Sequence, residues 1–410
     1  LVTCAIAWPA AAFYDAPLLL MMLPLAGLES LNNGLFAVRV YVAERHLKLA
    51  QDFDVIACRD VATLPVAGDD ATARIQARQF LRLLGRAGLF AHAVPELDLR
   101  ACCLAREALA AASPLADAVF ALQALGSMPI VLGGSPALKK KWLPAVAKGD
   151  AMAAFAMTEP EAGSDVAAIR TTAKKAKGGY VLQGSKTFIS NAGIADFYSV
   201  FASTNPKLGA KGLSCFVVDA RTPGFRFVKA QVLSAPHPLG EISFKDCWVP
   251  ASALLGKEGD GLKIGLGTLD RLRPTVAAAA CGMAARAFTE ARTHALKRRQ
   301  FGKPLAEFQI IQEKLAVMAT ELAAARLLVY RAAWEKDRGA ERIPVESAMA
   351  KAFATEAAQR IVDQALQILG GTGALAEHPV ERLYRAVRAL RIYEGTTEIQ
   401  HLVIAGHLLT

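Results

Sequence analysis

The sequence is poor in aromatic residues and lacks the short motifs of several common enzyme sites. Only 7% of its 410 residues are aromatic. No GxGxxG follows an apolar run, and neither GxxxxGKS nor GxxxxGKT occurs, so Rossmann-type and P-loop nucleotide sites are not indicated. No GxSxG nucleophile elbow occurs, and the seven histidines show neither HxxxH nor HExxH spacing. A hydrolase of the nucleophile-elbow type and a protein-bound metal are therefore not expected.

Cysteine usage indicates a reducing compartment. The seven cysteines are an odd number and contain no CxxC pair. Most lie among apolar neighbours, as small buried side chains do.

The charge is basic but dispersed. Lys and Arg number 47 against 37 acidic residues, which gives a net charge of +10. No long like-charged block and no interleaved aromatic pattern occurs, so a phosphate-rich small ligand explains the charge better than nucleic acid does.

Residues 1–28 form an apolar stretch whose only charge is Asp15. Its length would suit a membrane span, but Pro9, Pro17 and Pro24 interrupt the helical periodicity. We expect residues 1–42 to be an atypical apolar extension without regular structure. We expect no stable membrane insertion, and no other segment that could span a bilayer.

Hydrophobic periodicity divides the remainder into three zones and predicts an α+β multidomain protein. Residues 43–150 carry helical spacing, residues 151–256 carry short β-branched runs with turn signals, and residues 257–410 carry long helices with short links. The prediction is an N-terminal helical domain, a middle domain of β-barrel or sandwich type, and a C-terminal four-helix bundle. Predicted long helices of the last zone are 275–299, 304–336, 343–369 and 380–389.

The segment 392–400, IYEGTTEIQ, carries the most suggestive chemistry. Glu394 lies between an aromatic residue and a glycine, just before a helix start that Thr396 or Thr397 could cap. A carboxylate in dry surroundings there could act as a general base. Taken alone, the segment is better explained as a capped surface helix start.

Other segments allow a functional and a purely structural explanation. The loop 156–165 and the strand 184–193 combine small residues, hydroxyls and an aromatic suited to a flat ligand. The turn 298–304 is basic enough to bind phosphate, although a basic helix end also suits the helix dipole. The glycine-rich turn 370–373 could admit a ring or simply end a helix.

In this order, the loop 158–165, Phe188-Ile189-Ser190, Arg273-Pro274, residues 298–303, residues 367–371 and Glu394-Gly395-Thr396 resemble the acyl-CoA dehydrogenase family. The resemblance covers residues 43–410. It implies an FAD-dependent enzyme that acts on acyl-CoA thioesters. The stretch 237–240, HPLG, departs from the more polar one usual in the family.

The resemblance also assigns residues. It places Phe155, Met157, Thr158, Ser164, Phe188 and Ser190 at the flavin of their own subunit, together with Thr396 and Glu398. It places Arg298, Gln300, Phe301, Gln309, Gln367 and Gly371 at the FAD of a neighbouring subunit. On the substrate side it places Ser164, Asp270, Arg273 and Gly395.

Glu394 matches the catalytic base of the family. The resemblance implies that Glu394 removes the Cα proton while the Cβ hydride passes to flavin N5, which gives a trans-2-enoyl-CoA. It implies an electron-transfer flavoprotein as acceptor and a homotetramer, a dimer of dimers, although a simple dimer would also serve.

Two other functions stay open at this point. The first is an acyl-CoA oxidase or flavin monooxygenase on the same scaffold, and the second is a non-catalytic nucleic-acid-binding relative, suggested by the charge of +10. The expected location is the bacterial cytoplasm, with the mitochondrial matrix as the alternative.

Overall fold

The structure is a computed structural model that describes residue 41 and residues 44–410. The prediction of an unstructured extension over residues 1–42 lies outside the described residues, except for Tyr41.

Helices come first in the described chain. They are α1 Glu44–Ile56, α2 Asp70–Arg86, α3 Leu99–Ala112, α4 Pro114–Gly133 and α5 Pro136–Lys148. A π-helical turn, Ala57–Val61, follows α1. Side-chain caps fix several starts: Asp98 caps α3, and Ser113 ends α3 and caps α4.

One mixed sheet of eight strands forms the middle of the molecule. The strands are β1 Ala153–Ala156, β2 Thr172–Ala176, β3 Gly179–Ser190, β4 Phe197–Ser203, β5 Leu213–Asp219, β6 Phe225–Ala230, β7 Leu239–Pro250 and β8 Leu254–Leu255. The order is β6-β7-β3-β2-β4-β5-β8, and β1 pairs in parallel with β4. The long β3 and β7 pair antiparallel, so the polar end of β3 lies beside the start of β7.

Helices return after the sheet. They are α6 Gly261–Lys297, α7 Gln309–Asp337, α8 Pro344–Leu369, α9 Pro379–Leu390 and α10 Thr397–Leu408. A small hairpin of β9 Arg299–Gln300 and β10 Lys303–Pro304 joins α6 to α7. The predicted order of helical, β and helical parts is confirmed.

One predicted helix is longer than the sequence pattern suggested. The sequence favoured a helix from residue 275, but α6 starts at Gly261 and passes through Pro274. Helix α4 also contains a proline, Pro129, and continues to Gly133. Both prolines lie in buried segments, where tertiary packing outweighs the local preference for a break.

The core runs along α6, whose small side chains let neighbouring backbones approach closely. Ala277, Ala278, Ala279 and Ala280 are fully buried. A Cβ added to Gly282 would lie 2.0 Å from the carbonyl oxygen of Glu107 on α3. The contact between α3 and α6 therefore depends on the absence of a side chain there.

A buried ionic cluster lies between α1, α3 and α7. Glu107 accepts hydrogen bonds from Arg326 Nε at 2.7 Å and from the Tyr330 hydroxyl at 2.8 Å. Asp54 lies nearby at 5% exposure, and burial, followed by the charge of Glu107, raises its pKa to about 8.

The apolar helix α4 corrects one expectation. Among the described residues it alone is long and apolar enough to cross a membrane, although no such segment was expected beyond residues 1–28. In the structure, 83% of its most apolar stretch is buried, as in the core helix of a soluble protein.

Buried thiols agree with the sequence interpretation. Within residues 44–410, Cys102, Cys103, Cys215, Cys247 and Cys281 are buried and form no disulfide, and Cys58 is exposed.

Candidate active site

The loop between α9 and α10 adopts an unusual backbone. Glu394 has φ of +55° and Gly395 has φ of +94°. A left-handed φ is strained for a non-glycine residue and persists where the surroundings enforce it, often at functional sites. Thr396 then caps α10, because its side chain accepts from the backbone N–H of Ile399 at 3.3 Å. The predicted capping threonine is thus Thr396.

Buried side-chain donors hold this loop by its carbonyl groups. Arg273 Nε donates to the carbonyl of Glu394 at 2.9 Å, and Lys351 Nζ donates to that of Gly395 at 2.7 Å. Gln400 Nε2 reaches both carbonyls, at 3.3 and 2.9 Å. Arg273 on α6, Lys351 on α8 and Gln400 on α10 therefore fix the backbone position of Glu394.

Oε2 of the Glu394 carboxyl is buried. No group among the described residues donates a hydrogen bond to it. Burial raises its pKa, and the charges of Arg106, Arg273 and Lys351 pull in the opposite direction. The result is a desolvated carboxyl with a pKa above that of free glutamate. Such a group is a stronger base than a hydrated one.

A buried ion pair anchors the loop that precedes β2. Lys186 on β3 donates from Nζ to the carbonyl of Met157 at 3.0 Å and to Glu159 Oε1 at 2.7 Å. Glu159 also accepts from the backbone N–H groups of Arg170 and Thr171, at 2.7 and 3.0 Å. Burial lowers the pKa of Lys186 to about 8. No local pattern marks these two residues as partners, and the sequence analysis missed both.

The end of β3 presents an aromatic ring and a hydroxyl. Phe188 has φ of +55° and is 60% exposed, and its N–H donates to Gln231 Oε1 at 2.8 Å. Ser190 Oγ lies 2.7 Å from His237 Nε2. Burial lowers the pKa of His237 to about 4, so the imidazole is neutral at physiological pH. His237 lies in the stretch that departs from the family pattern.

These features suit a flat polar cofactor. Phe188 is exposed on a strained backbone at the end of β3, close in sequence to the hydroxyl of Ser190. The half-buried Thr158 lies in the loop after β1, beside β3, because the N–H of Thr187 donates to the carbonyl of Thr158 at 3.0 Å. Ser164 is exposed on the adjoining loop. The residues present therefore fit FAD. Met157 is buried, and the ring of Phe155 packs against that of Phe201 with 4.9 Å between the ring centroids.

The turn 298–304 points outward. Arg298, Gln300 and Gln309 are exposed, and Phe301 is 93% exposed with φ of +49°. Lys303 Nζ lies 4.4 Å from the Phe308 ring centroid and steadies the hairpin. At the end of α8, Gln367 and Gly371 are exposed as well. These predicted residues form an outward-facing set.

Two of the predicted substrate-side residues, Asp270 and Arg273, make different contacts. Asp270 is buried and accepts from Arg342 Nε at 3.3 Å, with Oδ1 unpartnered. Arg273 is directed to the Glu394 loop instead. Glu398 is exposed in the first turn of α10.

A second buried ion pair joins α3 to α4. Arg106 on α3 binds Asp117 on α4 in a bidentate manner, Nε to Oδ1 at 2.7 Å and Nη2 to Oδ2 at 2.8 Å. Its Nη1 donates to Thr275 Oγ1 on α6 at 3.0 Å. Arg106 lowers the pKa of Glu394 more than any other charge does. The sequence analysis missed this cluster, since residues on three helices share no spacing signal.

One group of His and Asp side chains could in principle hold a metal ion among the described residues: His46, Asp98 and Asp337. Their atoms are already engaged. His46 Nε2 lies 2.9 Å from Asp98 Oδ1, and Asp98 caps the N–H of Ala101. Asp337 accepts from the N–H of Leu99 at 2.8 Å. We interpret the group as a cap of α3.

One surface groove among the described residues does not have Glu394 in its lining. It measures about 570 Å³ and lies between α7, α8 and α9, with charges of both signs such as Glu313, Arg360 and Arg388.

Family models for the three parts of one enzyme family match the chain. The acyl-CoA dehydrogenase N-terminal, middle and C-terminal domain models match residues 43–150, 154–247 and 259–409.

Individual relatives agree. The chain is 42% identical over 340 residues to an acyl-CoA dehydrogenase of Bacillus subtilis, covering 81% of this chain and 89% of that one. The butyryl-CoA dehydrogenase structure from Megasphaera elsdenii has a TM-score of 0.83 at 34% identity, covering 90% and 99% of the two chains. A glutaryl-CoA dehydrogenase from Mycobacterium smegmatis in complex with FADH2 has a TM-score of 0.82 at 26% identity, covering 91% and 97%.

Proposed function

The chain belongs to the acyl-CoA dehydrogenase family of FAD-dependent oxidoreductases, and we propose that Glu394 is the base that removes the Cα proton of its acyl-CoA substrate. The observation that carries the proposal is the buried Oε2 of Glu394 on a strained, tightly held loop, for which the described part of the chain offers no hydrogen-bond partner.

The chemistry requires such a base. The Cα–H of a thioester is a weak acid, and a hydrated carboxylate removes its proton poorly. Desolvation raises the basicity of Glu394, while the charges of Arg106, Arg273 and Lys351 limit the rise in its pKa. The backbone N–H of Glu394 is proposed to donate to the thioester oxygen, where negative charge develops. The product is a trans-2-enoyl-CoA.

The chemistry that FAD supplies when bound is acceptance of the hydride from Cβ. Own-subunit contacts are proposed from Phe155, Met157, Thr158, Ser164, Phe188, Ser190, Thr396 and Glu398. The Lys186–Glu159 pair supports them, because it holds the loop of Met157 against β3.

We propose that the outward-facing set serves the FAD of a neighbouring subunit. Phe301 at 93% exposure and the exposed Arg298 and Gln367 suit a surface that another chain covers. The exposed Leu402 and Leu408 of α10 add apolar area of the same kind. A homotetramer, as a dimer of dimers, is proposed on this basis. An electron-transfer flavoprotein as acceptor and the bacterial cytoplasm as the location are proposed from the family resemblance.

Anaerobic titration with a panel of acyl-CoAs, followed by flavin absorbance, tests the proposal. The wild-type protein should bind FAD and lose its oxidised-flavin band on adding substrate. Glu394→Gln should bind FAD but keep that band, whereas Glu377→Gln, an exposed glutamate outside the site, should behave as wild type. Protein without flavin, or bleaching by Glu394→Gln, would contradict the proposal. Rapid reoxidation by air with peroxide formation would favour an oxidase instead.

A further inference from the structure

The connection between β6 and β7, residues 231–238, brings a histidine to the end of β3. His237 Nε2 lies 2.7 Å from Ser190 Oγ, and both residues are half-buried. We propose that His237 is a positioning residue that accepts the hydroxyl proton of Ser190 and leaves the lone pairs of Ser190 Oγ to accept a hydrogen bond from FAD. The inference rests on the proposed function, because it takes Ser190 as a contact of FAD.

Backbone pairing holds the two residues beside each other. The N–H of Asn191, which follows Ser190, donates to the carbonyl of Pro238, which follows His237, at 2.8 Å. Both Asn191 and Pro238 are buried. The bond between the two side chains is therefore part of the edge where β3 meets β7, and it does not depend on a free loop.

Arg74 on α2 ties the same two chain segments together from outside the sheet. Its Nη1 donates to the carbonyl of Ala192 at 2.6 Å, and its Nη2 donates to the carbonyl of Leu239 at 2.7 Å. One carbonyl lies two residues beyond Ser190, and the other lies two residues beyond His237. A single planar guanidinium therefore sets the distance between the two segments.

Gln231, at the start of the connection, holds the remainder of the strand end. Its Oε1 accepts from the N–H of Phe188 at 2.8 Å, and its Nε2 donates to Thr187 Oγ1 at 2.8 Å. Gln231 thus fixes the backbone of the exposed Phe188, whereas His237 alone contacts the hydroxyl of Ser190. The two side chains of the connection have separate partners, so their contributions can be measured separately.

The direction of the Ser190–His237 bond follows from the chemistry of the two groups. Burial lowers the pKa of His237 to about 4, so the imidazole is neutral and one ring nitrogen keeps a free lone pair. That nitrogen is a stronger acceptor than a hydroxyl oxygen, and 2.7 Å is the usual length of a bond that a hydroxyl donates. We therefore assign the ring proton to Nδ1. The charged groups that act on the imidazole, Asp70 and Arg74, neutralise each other through a bond of 2.6 Å.

The consequence concerns the oxidation state of the cofactor. Oxidised flavin offers bare ring nitrogens that accept hydrogen bonds, and reduced flavin carries an added N–H donor. A Ser190 hydroxyl that gives its one proton to His237 can accept from that donor but cannot donate. His237 should therefore favour binding of reduced over oxidised FAD, which raises the reduction potential of the bound cofactor.

Potentiometric titration of the FAD-loaded protein without acyl-CoA tests the inference. His237→Phe keeps a ring but removes the acceptor, whereas His237→Gln supplies a carbonyl acceptor. His237→Phe should shift the ratio of the affinities for reduced and oxidised FAD by about tenfold, a fall in midpoint potential of roughly 30 mV for two electrons. His237→Gln should keep the wild-type potential and flavin spectrum. His407→Phe, at an exposed position in the last turn of α10, is the matched control.

A double-mutant cycle separates positioning from general damage. Ser190→Ala removes the group through which His237 acts, so Ser190→Ala/His237→Phe should have the same potential as Ser190→Ala. A histidine that only supported the fold would give the same shift with and without Ser190. Thermal melting and FAD content of each variant are measured in parallel.

Three results would overturn the inference: a potential that rises or stays fixed in His237→Phe, an equal fall in His237→Gln, or an equal shift in the Ser190→Ala background. If His237→Phe does not fold or retain FAD, His237→Asn takes its place with the same expectation, because its shorter side chain withdraws the acceptor. Bleaching by Glu394→Gln would refute the proposed base and leave this series valid. A wild-type protein that binds no FAD would refute both.

Discussion

Arg273 on α6 donates from Nε to the backbone carbonyl oxygen of Glu394 over 2.9 Å. The two residues lie 121 positions apart, yet this bond sets the backbone from which the proposed base extends. Arg273 thus holds the backbone of Glu394 in position, and its charge lowers the pKa of the Glu394 carboxyl.

Replacing Arg273 should affect both roles. Arg273→Met should lower kcat by about 10²-fold, since a displacement of about 1 Å at a catalytic group has effects of that size. It should also move the acid limb of the kcat–pH profile upward, because a charge that lowers the pKa of Glu394 is lost. Arg273→Lys should restore the limb but not kcat. Arg292→Met, an exposed position on α6, is the control, and an unchanged kcat in Arg273→Met would refute the positioning role.

The pH dependence of the wild type has a defined sign. Glu394 must be deprotonated to accept a proton, and burial raises its pKa above that of free glutamate. Activity should therefore rise with pH through a limb above the ordinary range of about 4.3. Lys351→Met should shift that limb to higher pH, as measured from single-turnover flavin reduction. A limb that moves down, or stays fixed, would contradict the electrostatic role of Lys351.

The Lys186–Glu159 pair should contribute strongly to stability. Lys186→Met leaves the carboxylate of Glu159 buried without its cationic partner, and the free energy of unfolding should fall by about 3–5 kcal/mol. Lys186→Met/Glu159→Leu should recover part of this loss, but not all, because Arg170 and Thr171 lose their acceptor. Urea denaturation with a parallel measurement of FAD content gives the result. Lys174→Met on the exposed side of β2 is the matched control, and equal stability of the two lysine variants would count against the pair.

Asp54 should make stability depend on pH. Its pKa is about 8 in the folded chain and 3.8 by its ordinary value. A raised carboxyl pKa means that the folded state binds the extra proton, so stability falls as pH rises from about 4 to 8. Asp54→Asn should remove this dependence and stabilise the protein at pH 9 by up to about 6 kcal/mol, the equivalent of a shift of about four pKa units. Asp52→Asn, exposed on the same helix, should change neither, and parallel curves for wild type and Asp54→Asn would contradict the assignment.

Gly395 should tolerate no side chain. A Cβ at this position would lie 2.5 Å from Gln400 Nε2, on a backbone with φ of +94°. Gly395→Ala should destabilise the protein by about 1–3 kcal/mol and lower kcat, because Gln400 is pushed off the carbonyls it holds. Gly406→Ala on α10 meets no atom within 4 Å and should be neutral or stabilising. Thermal melting and kcat of the two variants provide the comparison.

The sequence allowed prediction of features that depend on short motifs, on hydrophobic periodicity or on the family resemblance. Glu394, the cap at Thr396 and the order of the zones follow from short motifs and periodicity, and the family and its FAD dependence are confirmed. The helix start at Gly261 escaped prediction, because burial around Pro274 outweighs its local preference. The pairs Arg106–Asp117 and Lys186–Glu159 escaped as well, since each joins separate elements and neither member is distinctive alone. The FAD and substrate contacts stay predictions.

The seam of small buried residues on α6, Ala277–Ala280 and Gly282, limits which substitutions the chain can accept during evolution. With Gly282 facing the Glu107 carbonyl and Ala277–Ala280 fully enclosed, even one added methyl group requires two helix backbones to part. Neutral drift should therefore avoid this helix and accumulate on surfaces such as β6, whose residues are mostly exposed. The rigid seam also positions Arg273 and Thr275, so selection for packing and selection for chemistry fall on the same stretch of chain.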